Sequence, residues 1–217
     1  GKYEFQTDDL TEAQYLETCA SNQSNYAVCT YHIFKSQALY LYGELESALD
    51  CAREGEKRLS FIPATIPVSE QNFYHSLILA GLYDSADSDT QQAYWEKLEA
   101  NQAQMKIWAE NGPANFEHKY LLVSAEMARI SGRSLETIID LYDLSIESAG
   151  ENEFVHTEAL GNELTAMFWL SKGKERIARG YMESAYYGYR LWGARGKAKA
   201  LAERHANLLV STKEHRH

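Results

Sequence analysis

Apolar side chains recur three and four residues apart in segment after segment of this chain, and that rhythm restricts it to helices. Residues 44–60 place Leu45, Ala48, Leu49, Ala52 and Leu59 at helical spacing. Residues 134–148 do so with Leu135, Ile138, Ile139, Tyr142 and Ile146, and residues 174–192 with Ile177, Tyr181, Ala185 and Leu191. Each stripe lies opposite a charged face, the pattern of an amphipathic helix. No stretch alternates apolar and polar residues between turn residues as a strand would. Only three prolines, Pro63, Pro67 and Pro113, punctuate the 217 residues. Long uninterrupted helices are therefore permitted.

The breaks fall where helices end. Gly43, Gly132, Gly173 and Gly193 each follow one apolar run and precede the next, the place of a helix-terminating glycine. Pro63 with Pro67, and Gly112 with Pro113, mark two loops. Asp89 with Gln92 reads as a capping pair ahead of a long helix. The helices expected are 9–20, 25–42, 44–60, 70–84, 90–110, 115–131, 134–148, 154–171, 174–192 and 195–210.

These helices pair, near 25–60, 70–110, 115–148 and 154–192, and the pairs recur at intervals of roughly 40–45 residues, the signature of stacked helix–turn–helix repeats. Small residues recur after the turns: Ala48 and Ala52 after Gly43, Ala178 and Ala185 after Gly173. The pattern resembles a degenerate tetratricopeptide repeat. The expected fold is all-α, a tetratricopeptide-like solenoid of about four helix pairs, forming a single domain over residues 1–217. A final helix over 195–210 caps the stack. Gly55, Gly81, Gly161, Gly180 and Gly188 lie inside these helices, and each is expected to mark a close helix–helix approach.

Charge is uneven. Residues 172–205 carry nine basic and three acidic side chains, whereas residues 1–171 carry 10 basic and 27 acidic. An acidic bulk of this kind repels nucleic acid. The basic end suits an acidic partner or an acidic neighbouring domain. No run of about 18 apolar residues indicates a membrane span, and no leader pattern is visible at the N-terminus. Cys19, Cys29 and Cys51 are odd in number and lack metal-like spacing, which fits buried free thiols in a reducing, cytoplasmic compartment.

The search for chemistry returns little. No phosphate-binding glycine loop, H-E-x-x-H, C-x-x-C or G-x-S-x-G string occurs. Glu153 and His156 stand i, i+3 without the second copy that a di-metal site needs, and His215 and His217 lie near the chain end. No catalytic residue, metal site or cofactor is therefore expected, although Glu126, Arg129, Asn162 and Glu163 are the residues from which a dispersed enzyme site could be assembled. Tyr181, Tyr186, Tyr187 and Tyr189 cluster with Trp192, as aromatic packing or a peptide-binding face would require. Asn72, His75, Asn115, His118, Lys119, Asn162 and Glu163 lie on the first helices of the pairs. In a tetratricopeptide-like stack those helices line the concave face, so these seven are the candidate groove residues for a protein or peptide.

Longer strings carry a more specific resemblance. They are VSEQNFYHSLILAGLY over residues 68–83, NQAQMKIWA over 101–109, NFEHKYLLVSAEMAR over 115–129, EALGNEL over 158–164 and ARGYMESAYYGYRLWGA over 178–194. Together they resemble the tetratricopeptide-like helical region of large bacterial multi-domain signalling kinases. Those proteins join a Ser/Thr-kinase-like domain, an AAA-like ATPase module, this helical region, a GAF sensor and often a histidine kinase. The resemblance covers roughly residues 25–210. It implies a non-catalytic connector and interaction scaffold, whose partners are proteins, peptides or flanking domains of the same chain. It supplies no catalytic residue to carry over. The alternative is a free-standing peptide-binding adaptor.

Overall fold

Four glycines set the turns. Gly43 closes its helix at φ 86°, and Gly132, Gly173 and Gly193 adopt the same left-handed backbone. A side chain there would press Cβ against the backbone, so the expected stops are realised by the residue best suited to them. A computed structural model of the chain describes residue 5 and residues 10–209. All regular structure among these residues is helical: α1 (Glu12–Ser21), α2 (Asn25–Tyr42), α3 (Leu45–Glu56), α4 (Ile66–Leu82), α5 (Ser88–Asn111), α6 (Pro113–Ile130), α7 (Leu135–Glu151), α8 (Val155–Ser171), α9 (Glu175–Leu191), α10 (Arg195–Arg204) and α11 (Ala206–Leu209). None of them is long and apolar enough to cross a membrane. His215 and His217 lie outside the described residues.

Three boundaries differ from expectation for identifiable reasons. Pro67 does not mark a loop but sits in the first turn of α4, where a missing N–H costs nothing. The helix therefore begins at Ile66. Asp87, not Asp89, caps α5, its Oδ1 accepting from the Thr90 N–H at 2.9 Å. Asp89 is already inside the first turn. The last helix breaks at His205, where the backbone leaves the helical region.

The helix contacts group into two compact units, Gly1–Asn101 and Gln102–His217, with the boundary inside α5. In the first unit α2 packs on α3, both pack on α4, and α1 lies against α2. In the second unit α6 packs on α7, α7 on α8, and α8 on α9, with α10 and α11 against α9. Three expected pairs thus appear as tight partners, α2/α3, α6/α7 and α8/α9. The remaining one is different: α4 packs chiefly on α2 and α3. It meets α5 through side chains, with Asn72 Nδ2 donating to the Asn101 carbonyl and Asn101 Nδ2 to Ser76 Oγ, each at 3.1 Å.

Small residues let backbones approach. Ser36 Oγ donates to the Ala48 carbonyl and Gln71 Nε2 to the Ala52 carbonyl, at 2.9 and 2.7 Å. Ser145 Oγ donates to the His118 carbonyl at 2.8 Å. Cβ atoms built at Gly55, Gly81, Gly161 and Gly188 would meet Gln71, Leu45, Ile146 and Ala159 at 3.2, 3.1, 2.9 and 2.8 Å. Gly180 is the exception, since a Cβ there meets nothing within 4 Å. The two α9 glycines therefore predict opposite results. Gly180→Ala should stabilise by about 1 kcal/mol, the helix-propensity gain. Gly188→Ala should destabilise by about 1–3 kcal/mol, because Ala159 has no flexible tip to swing aside. Thermal melts of both variants check the pair.

The expected stripe on α9 also changes. Ile177 and Leu191 are 44% and 70% exposed, while Ala178, Met182, Ala185 and Tyr189 are fully buried. The inward face of α9 is thus set by the small residues and Tyr189, one position round from the stripe that Ile177 begins.

Candidate functional site

Polar side chains inside a helical stack must find partners or lose free energy. Here carboxylates do much of that work, each shared between a cation and a second donor. Glu163 on α8 is buried and bonded to two other helices. Its Oε1 accepts from Lys197 Nζ on α10 at 2.7 Å, and its Oε2 from the Tyr189 hydroxyl on α9 at 2.6 Å. The ammonium also lies over the Tyr189 ring, 5.1 Å from its centroid. Burial pushes the Lys197 pKa down, and the Glu163 carboxylate opposes that shift. One carboxylate therefore pins three helices.

Related arrangements recur. Glu126 on α6 accepts from the Tyr142 hydroxyl on α7, and from Arg129 Nε and Nη2 at 3.0 and 2.9 Å. Glu12 on α1 accepts from the Tyr31 hydroxyl and from Lys35 Nζ on α2. Glu56 on α3 accepts from Lys97 Nζ on α5 and stands 3.8 Å from His75 Nδ1 on α4. Each of these carboxylates has at least one oxygen bonded to a neighbouring helix, whereas Arg129 holds Glu126 from within α6 and the neutral His75 only stands near Glu56.

The seven candidate groove residues are distributed accordingly. Asn72 is half-buried and bonded to α5. His75 is 5% exposed, and burial holds its imidazole down at about 4, against the opposing pull of Glu56. Asn162 is buried, and its amide donates to the Glu158 carbonyl one turn back at 2.9 Å. Glu163 is the pin just described. Lys119 is buried, with its ammonium 5.9 Å from the Phe154 ring centroid. Asn115, at the start of α6, is exposed. His118 is completely buried and stacks on Phe154, with ring centroids 4.3 Å apart. Neither of its ring nitrogens has a hydrogen-bond partner among the described residues. Burial holds the His118 imidazole down at about 3, helped by Lys119 and His156.

Asn72 and His75 belong to the first unit and the other five to the second. Five of the seven, His75, His118, Lys119, Asn162 and Glu163, are buried. The reason is packing: α4 and α8 are covered by several neighbours, so polar residues on them face other helices. Glu126 with Arg129, and Asn162 with Glu163, likewise serve helix contacts. The tyrosine cluster is split around α9. Tyr189 is buried, Tyr181 donates to Asp143 Oδ1 at 2.8 Å, and Tyr187 is 70% exposed. Cys19 and Cys29 are buried free thiols, and Cys51 is partly buried. Among the described residues, no three His, Cys, Asp or Glu side chains are grouped to hold a metal ion.

Single-chain reasoning missed Lys197, Tyr189, Tyr142, Lys97, Lys35 and Tyr31 as partners of these carboxylates. The i, i+3 spacing of Glu126 and Arg129 was a readable signal. The other pairings span long sequence separations and had none. Against known protein families, curated proteins and solved structures, the chain finds no match.

Proposed function

We propose that this chain is a tetratricopeptide-like interaction scaffold without catalysis of its own, acting in the cytoplasm as the helical segment of a multi-domain signalling kinase. The carrying observation is a repeated contact register. In α3, α7 and α9 the residues turned to the partner helix are Ala48 and Ala52, then Ile138, Tyr142 and Ser145, then Ala178, Met182 and Ala185, all buried. A unit that repeats its own packing in this way stacks on its neighbours and leaves its outer surfaces for other proteins. The strings at 68–83, 115–129 and 178–194 supply the kinase context by resemblance. Three free cysteines suit a reducing compartment.

The test is the size of the native polypeptide. An antibody against residues 1–217, used on a blot of source cells, should reveal a band far above 24.7 kDa. A band near that mass would sink the kinase-segment reading and leave a free-standing peptide-binding adaptor.

A further inference from the structure

Helix α9 carries two seams. One is buried and holds Ala178, Met182, Ala185 and Tyr189. The other lies on the opposite face, where Ile177, Gly180, Ser184, Tyr187 and Leu191 are all exposed. Their spacing alternates three and four residues, the a/d pattern of a helix that receives another helix. The matching positions of α7 are Thr137, Asp140, Leu144, Glu147 and Glu151, an ordinary charged outer face. The apolar seam is thus particular to α9. Gly180 strengthens the point. It sits mid-helix at the cost in helix propensity noted above, yet no described residue comes within 4 Å of where its side chain would begin. A gap flanked by Ile177, Ser184 and Tyr187 admits a side chain from outside.

Charge says what that outside chain is. One flank of the seam reads Arg176, Glu183, Arg190 at seven-residue intervals. Arg176 has no carboxylate partner among the described residues, and Arg190 lies over the Tyr186 ring, 5.8 Å from its centroid. A second copy is a poor occupant. Antiparallel pairing of two α9 helices sets Arg176 against Arg190 and Glu183 against Glu183. Like charges at such positions exclude a pairing. We propose that the outer seam of α9 docks an amphipathic helix of a partner protein whose flank reads acid–base–acid at heptad spacing and whose apolar seam fills the space over Gly180. This deepens the scaffold reading and rests on it for the claim that the surface serves protein contacts.

The probe is a synthetic helical peptide of about three heptads, with leucine and isoleucine at a and d. Both flanks carry Glu, Lys, Glu in successive heptads. A control peptide carries Lys, Glu, Lys. Fluorescence anisotropy against residues 1–217 should show the first peptide binding at least about tenfold more tightly than the control. Gly180→Gln should abolish binding while the helical far-UV circular dichroism is kept and the melting temperature does not fall, since open space receives the side chain and the helix gains propensity. The double variant Arg176→Glu/Arg190→Glu should reverse the preference between the peptides. Equal binding of both peptides, binding of neither, or binding indifferent to Gly180→Gln would overturn the proposal. So would dimerisation of the chain alone in analytical ultracentrifugation that Gly180→Gln removes, which would assign the seam to a second copy. A large native polypeptide without peptide binding removes the seam and spares the scaffold. Peptide binding with a small native polypeptide does the reverse for the kinase context.

Discussion

Replacing Glu163 by leucine should destabilise the chain by about 3–5 kcal/mol, because one partner of a buried ion pair is then removed and the other left behind. The Lys197 ammonium loses its carboxylate in a site where its side chain is only 7% exposed. The Tyr189 hydroxyl, buried with it, loses its acceptor. Leucine roughly matches the aliphatic stem of glutamate, so lost volume is a small part of the effect. On a domain stability of about 5–15 kcal/mol, such a loss approaches unfolding. Urea melts followed by circular dichroism give the number.

The decisive comparison is the double variant Glu163→Leu/Lys197→Met. It removes both charges together and keeps apolar bulk in the space. Exchanging a buried pair for packed apolar residues is often neutral or stabilising. The double variant should therefore lie within about 1–2 kcal/mol of the parent and be more stable than Glu163→Leu alone. Tyr189→Phe should cost about 1.5–3 kcal/mol, the worth of a hydrogen bond to a charged group. A loss under about 1 kcal/mol for Glu163→Leu would show that the carboxylate is not the pin joining α8, α9 and α10.

That pin marks the limit of what one sequence reveals. The helices and their stops follow from local rules, since periodicity and a left-handed glycine act within a few residues. Tight pairing of α2/α3, α6/α7 and α8/α9 follows as well, because short turns force antiparallel neighbours into contact. Facing is a different matter. A helix covered on one side shows a polar face, and a helix covered all round does not. Residues 71–83 contain no charge, and residues 73–80 are buried without interruption. The absence of charge was the readable sign that this helix is enclosed and that His75 is buried with it.

Glu163 illustrates the rest. Its partners lie 26 and 34 residues away, and no local pattern couples them. Polar residues on an expected groove face and polar residues that tie a core look alike until the neighbours are known. Gly180 shows the converse. As a symbol it equals Gly161 and Gly188, and only the space around it separates a surface position from a close approach.

Acid should unfold this protein earlier than its carboxylates alone would require, and His75 and His118 are the reason. Both are held neutral by burial, at about 4 and about 3, against an ordinary value of 6.5. Below pH 6.5 the unfolded chain takes up these protons and the folded chain does not. The unfolded state then binds more protons, so stability is full above pH 6.5 and is lost as pH falls towards each folded value. Each imidazole contributes a slope of about 1.4 kcal/mol per pH unit through the window from 6.5 to 4.5. Together they remove about 5 kcal/mol by the lower edge, over a window that lies mostly above the ordinary carboxylate midpoints. His118→Phe separates this cause from general acid sensitivity. The phenyl ring keeps the stacking on Phe154 and removes two buried nitrogens without partners, so the variant should be more stable at pH 7 by about 1–3 kcal/mol. Its stability should also fall with half the parent's slope, about 1.4 kcal/mol per pH unit. Urea melts at half-unit steps from pH 7 to 4.5 measure both quantities. A slope unchanged by His118→Phe would mean that the imidazole exchanges protons while folded, and so meets water that its packing against Phe154 should exclude.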